Sequence, residues 1–150
     1  MANFVFNKFK EYACDGTIDM DRTTADSFKV ALYTDATLPA ATVTCKADLD
    51  GAKTEVANGN GYTTGGITLT GISCTVDNVA DQAVVTWNNV QWTASGGAIS
   101  ASGAIIFDDS TDVATDDETD AIISYKDAGG TITATDGTPI IISSIKETLS

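Results

Sequence analysis

The chain has 150 residues, with 21 acidic side chains against 8 basic ones and no histidine, for a formal net charge of −13. That length fits one domain spanning 1–150 with a core of its own, independent of any metal or disulfide staple. The missing histidine removes the commonest general base, transition-metal ligand and pH switch, and the charge repels DNA and anionic lipid. The three cysteines, Cys14, Cys45 and Cys74, are widely spaced and odd in number, which fits neither a zinc pattern nor a closed disulfide framework. They are expected as small buried or half-buried thiols in a reducing cytosol. No apolar run approaches the roughly 18 residues of a membrane span, and Lys8, Lys10 and Glu11 interrupt the candidate signal region. A soluble, non-exported chain is expected, with no membrane or nucleic-acid partner.

In chain order, residues 1–16 read as an N-terminal arm and short helix. Phe4 and Phe6 suit an extended segment, whereas Phe9, Tyr12 and Ala13 share one face of a helix from about Asn7 to Cys14, stopped at Asp15-Gly16. This aromatic cluster either covers one end of the core or packs on another subunit. Ser27 to Tyr33 then alternates, with Phe28, Val30 and Leu32 on one face and Lys29, Ala31 and Tyr33 on the other. It is the first clear strand. From Thr34 to Val56 the pattern weakens around Pro39, and a surface flap holding one or two helical turns is expected.

Glu55 to Leu69 sets four glycines, Gly59, Gly61, Gly65 and Gly66, around Tyr62 and leads into Ile67. A nucleotide cradle would need a preceding strand and a following helix, or a Gly-Lys-Ser/Thr ending, and neither is present. The segment reads as an entry loop to a strand, pinned by Tyr62. Ile67 and Leu69 share a parity that Ile72, Cys74 and Val76 reverse, which suggests a β-bulge at Gly71. Ala83 to Trp87 is the next strand, and the Asn88-Asn89 pair before Val90 and Trp92 suggests a kinked strand or tight corner, each buried indole needing an N–H partner. After a turn at Ser95 to Gly97, Ile99, Ala101, Gly103, Ile105 and Phe107 alternate inward along a long strand.

The tract from Asp108 to Asp120 is the most acidic of the chain. Asp108, Asp109, Asp112, Asp116, Asp117, Glu118 and Asp120 are hard oxygen ligands of the kind calcium takes, but their spacing matches no EF-hand loop. A solvated, self-repelling loop is the expectation. Strands follow at Ala121 to Tyr125 and Thr131 to Ala134, with a turn at Asp127 to Gly130 between them. Another turn at Asp136-Gly137 precedes Pro139 to Ile145, where Ile140 and Ile142 oppose Ile141 and Ile145. A last strand apolar on both faces is expected to be central, or covered by a neighbouring subunit. Seven or eight strands with frequent turns and little helix point to an all-β fold, an antiparallel β-sandwich or flattened barrel of jelly-roll or immunoglobulin-like type. No catalytic, cofactor-binding or metal-binding residue emerges.

Taken together, Asn7-Lys8-Phe9-Lys10-Glu11, Ile18-Asp19-Met20-Asp21, Phe28 to Tyr33, the Glu55 to Gly66 loop, Val85-Thr86-Trp87, Val90-Gln91-Trp92-Thr93, Ala104 to Asp109, Ile123-Ser124-Tyr125 with Gly129-Gly130, and Leu149-Ser150 resemble a family of small structural proteins of tailed bacteriophages. The resemblance runs from about residue 7 to the C-terminus. It implies a non-enzymatic virion component. Because the charge suits the outside of a DNA-filled shell better than its inside, the expectation is a capsid decoration or cement protein on the outer capsid surface, assembled in the host cytoplasm. Its partners would be the major capsid protein and further copies of itself, as a dimer or trimer. Phe4, Phe6, Phe9 and Tyr12 are the candidate interface. A neck or tail component is the alternative, and a glycan-binding module stacking sugar on Tyr62, Trp87 and Trp92 is a third.

Overall fold

The structure is a computed structural model and describes residues 3–20, 26–110 and 120–149. Among these, the elements are β1 (Phe4–Val5), α1 (Asn7–Asp15), β2 (Phe28–Tyr33), α2 (Lys46–Ala52), β3 (Ile67–Thr68), β4 (Ser73–Asp77), β5 (Gln82–Thr86), β6 (Val90–Thr93), β7 (Ile99–Asp108), β8 (Ile122–Ala134), β9 (Pro139–Ile142) and β10 (Lys146–Leu149). The fold is mostly β and every strand pair is antiparallel. A five-stranded sheet has the order β1-β8-β7-β2-β3, a three-stranded sheet the order β10-β5-β4, and β6 pairs with β9.

α1 contains no β-branched residue and ends at Gly16 in the left-handed region, as its sequence predicts. Phe9 and Tyr12 project from it into the larger core, where Val30, Leu32, Trp87, Trp92, Ile106 and Ile123 also lie. β2 is apolar on both faces because both are covered. Phe28, Val30 and Leu32 face the larger core, whereas Ala31 and Tyr33 join Phe6, Leu49, Ile105, Phe107, Ile122 and Tyr125 in a second one. That second layer corrects the reading of Thr34 to Val56 as a surface flap. Leu49 of α2 is 1% exposed, and backbone bonds from Thr34 N to Thr54 O and from Val56 N to Leu32 O bind the segment to the end of β2.

Further expectations are corrected. Gly71 is not a bulge: the chain leaves the five-stranded sheet after β3 and joins another at β4. At Gly71, with φ of 68°, a side chain would be strained and its Cβ would displace the end of the Asn88 side chain, so the corner between sheets favours glycine. As a result Cys74 and Val76 are exposed, as is Cys14, and only Cys45 is half-buried. Asp127 to Gly130 does turn locally but does not separate two strands, because β8 continues on both sides of it. Ala101 pairs with Ile132 and Gly103 with Asp127, so Ala128 to Thr131 bulge out opposite Ser102. That irregularity also reverses the parity of β7. Ile99 and Ala101 face the larger core, but beyond it Ala104 and Ile106 do so, while Ile105 and Phe107 turn to the second core.

The closing segment is not one central strand. Among the described residues β9 pairs only with β6 and leaves Ile141 54% exposed, and Ser144, in the left-handed region at φ 54°, redirects the chain into β10. Ile145, at this corner, is buried. The tryptophan pair straddles a corner between sheets, Trp87 following β5 and Trp92 lying in β6. Among the described residues, the buried Trp87 Nε1 has no hydrogen-bond partner, contrary to the expectation for a buried indole.

Candidate functional site

The glycine loop is held by the aromatic that its sequence singles out. Tyr62 Oη accepts the Leu32 N–H at 3.0 Å and donates to Glu55 Oε1 at 2.7 Å, and the Gly65 N–H reaches the same oxygen at 2.6 Å. Gly66 rests against the Val30 carbonyl, which a Cβ would strike. Behind the loop, Lys46 Nζ lies 2.8 Å from Glu55 Oε2 and 2.6 Å from Asp50 Oδ2, and Tyr33 donates to Asp50 Oδ1 at 2.5 Å. Burial pushes both phenols well above the ordinary tyrosine range, reinforced by the hydrogen bonds to Asp50 and Glu55. Burial works against the Lys46 ammonium, but its bonds to the two carboxylates outweigh it and hold its pKa above the ordinary value. These groups satisfy one another, so the cluster fastens α2 and the loop to β2 and presents no spare base or nucleophile. Sequence spacing flagged Tyr62, but not Lys46 or Asp50, which lie where the pattern is weakest.

The aromatic arm lies mostly inside the molecule. Phe6 and Phe9 are 0% exposed and Tyr12 is 3% exposed, while Phe4 is half-buried, 4.8 Å from Phe6 and 6.0 Å from Tyr125 between ring centres. In this conformation Phe6, Phe9 and Tyr12 cover the core, one of the two roles the sequence allowed, and offer no surface to a partner. The proposed sugar platform is likewise interior: Tyr62, Trp87 and Trp92 are all buried, Tyr62 against Trp92 with ring centres 5.9 Å apart.

A cleft of about 620 Å³ opens where β1, β9 and β10 come together over β7 and β8. Phe4, Val5, Ile132 and Ile141 give it an apolar lining, with Lys126, Asp127, Lys146 and Glu147 as its charged members. Glu147 is 4% exposed, and its Oε1 accepts Ser124 Oγ at 2.5 Å and Lys126 Nζ at 2.5 Å. Burial pushes the Glu147 carboxyl up against the opposing pull of Lys126. The cleft was not legible in the sequence, since its residues come from six strands spread from the start of the chain to its end.

Of the acidic tract, Asp112, Asp116, Asp117 and Glu118 lie outside the described residues. Asp109 pairs with Lys29 at 2.7 Å. Asp108 is buried, which pushes its carboxyl up to about 6, with the Asp26 carboxylate adding to the rise. Among the described residues no group of three or more Cys, Asp or Glu is placed to hold a metal ion. Comparison with protein-family models, with curated proteins and with solved structures returns no match.

Proposed function

We propose that this chain is a non-enzymatic structural protein of a tailed-phage virion, a decoration or cement protein that binds the major capsid protein on the outer face of the shell. The observation that carries this reading is where the segments of the family resemblance fall. Phe28 to Tyr33 is β2, Glu55 to Gly66 is the loop clamped to it, Ala104 to Asp109 lies at the end of β7, and Ile123 to Tyr125 lies in β8 beside it. The likeness therefore resides in the frame of the fold rather than in a scattered set of surface residues. In this reading the sheets enclose the larger core as a flattened β-sandwich, with the N-terminal arm and α1 as fixed parts of it.

The charge of −13 supports the outer face, because the inside of a filled shell concentrates phosphate. Modest contacts suffice there, since an oligomer holding several shell subunits gains from its effective concentration. The test is stoichiometric: purified protein is incubated with expanded, undecorated capsids of its phage, the capsids are reisolated, and bound copies are counted against the major shell protein. Copy numbers comparable to the shell protein are expected. A few copies at one vertex would favour the neck or tail reading, and no binding would overturn the capsid assignment.

A further inference from the structure

The large apolar side chains left exposed among the described residues are Leu38, Val76, Val79, Ile132 and Ile141. All but Leu38 belong to just two features, the β4–β5 hairpin and the cleft beneath β1, β9 and β10. We propose that the hairpin tip of one copy of this chain docks in the cleft of a second copy. The inference goes beyond the capsid reading and does not depend on it.

The hairpin has the form of a projecting plug. Val79 is 99% and Val76 74% exposed. The tip is nevertheless ordered by its own chemistry. Asp77 Oδ1 accepts the N–H groups of Val79 and Ala80, both at 3.0 Å, and these bonds draw the Asp77 carboxyl below its ordinary range. Asp81 completes the turn in the left-handed region at φ 54°. An apolar side chain held out by a preformed turn loses little conformational freedom on binding.

The cleft has the complementary character. Ile132 and Ile141 are 42% and 54% exposed at its wall. Lys126 and Lys146 balance Asp127 and Glu147 along its lining, so it is locally neutral in a chain of charge −13. Lys146 is exposed and makes no close ion pair among the described residues; it acts through space on Asp77 of its own chain, and Asp77 or Asp81 of an incoming tip would compete for it. A second acidic copy would meet less repulsion here than over a surface of average charge. The strands bordering the cleft are also sheet edges, as is β4, so unpaired backbone is available on both sides for added strand pairing.

Within one chain β5 separates β4 from β10, and no residue of the tip lines the cleft of its own chain. Their contact is head-to-tail, and its repetition leads to a closed ring if the rotation permits. Sedimentation velocity of the full chain over a range of concentrations tests this, with no capsid present. Wild type is expected to associate reversibly, and Val79→Ser and Ile141→Ser each to weaken association at least about tenfold. Both substitutions are at exposed positions and neither adds charge; circular dichroism checks that the fold is kept. Mixing the two variants separates a plug-and-cleft contact from other modes, since one copy keeps an intact cleft and the other an intact tip. A one-to-one complex is expected from the mixture. Wild type that stays monomeric throughout, variants that associate as wild type does, or a mixture that gives no pair would overturn the proposal.

Discussion

Tyr62 concentrates several roles in one hydroxyl. It completes the backbone hydrogen bonding of Leu32, shares Glu55 with the Gly65 N–H, and lies behind a loop that depends on the close approach of Gly66 to Val30. Tyr62→Phe keeps the ring against Trp92 but strands a buried N–H and one carboxylate oxygen contact, at a cost of about 1 to 3 kcal/mol. Urea unfolding is expected to show a lower midpoint with an unchanged slope. Asp108 predicts the opposite direction of effect at neutral pH. Its folded pKa of about 6 lies above the ordinary 3.8, so the fold favours the protonated form. The associated stability is complete below the ordinary carboxylate pKa and is lost as pH rises through about 6. Asp108→Asn, whose amide oxygen can still accept the Ser110 N–H, is expected to match wild type near pH 4 and exceed it near pH 7.5. Unfolding midpoints at the two pH values check the sign. The lone aromatic among glycines made Tyr62 conspicuous from sequence, whereas nothing local marks Asp108 as more buried than its acidic neighbours.

At the scale of elements, α1 was legible because a helix stop and an aromatic face are local signals. Whether that face met the chain's own core or another subunit was not local. Phe9 is 0% exposed, so Phe9→Ala is expected to cost about 3 to 5 kcal/mol of stability, measurable as a fall in the unfolding midpoint. A bridging arm free of the core would show almost no such loss. β2 was read correctly as a strand from its period of two, yet its second apolar face became intelligible only with Leu49 of α2 packed near it. The Asp127 to Gly130 segment shows the converse. Its composition signals a turn, and Gly129 and Gly130 do adopt positive φ, but the long pairing of β8 with β7 absorbs them as a bulge.

For the whole molecule, composition and spacing by themselves determined a mostly β, antiparallel chain with a short N-terminal helix and an acidic surface. Those features depend on side-chain period, turn chemistry and net charge, which are properties of short segments or simple sums. The tertiary structure alone decided which strands share a sheet, and so why Gly71 and Ser144 are corners between sheets. It decided that Phe6, Phe9, Tyr12, Trp87 and Trp92 are core while Val79 and Ile141 are surface, although hydrophobicity ranks none of them as exposed. It also assembled the cleft from β1, β2, β7, β8, β9 and β10. Burial and juxtaposition depend on contacts between residues far apart in the chain, which no local period encodes.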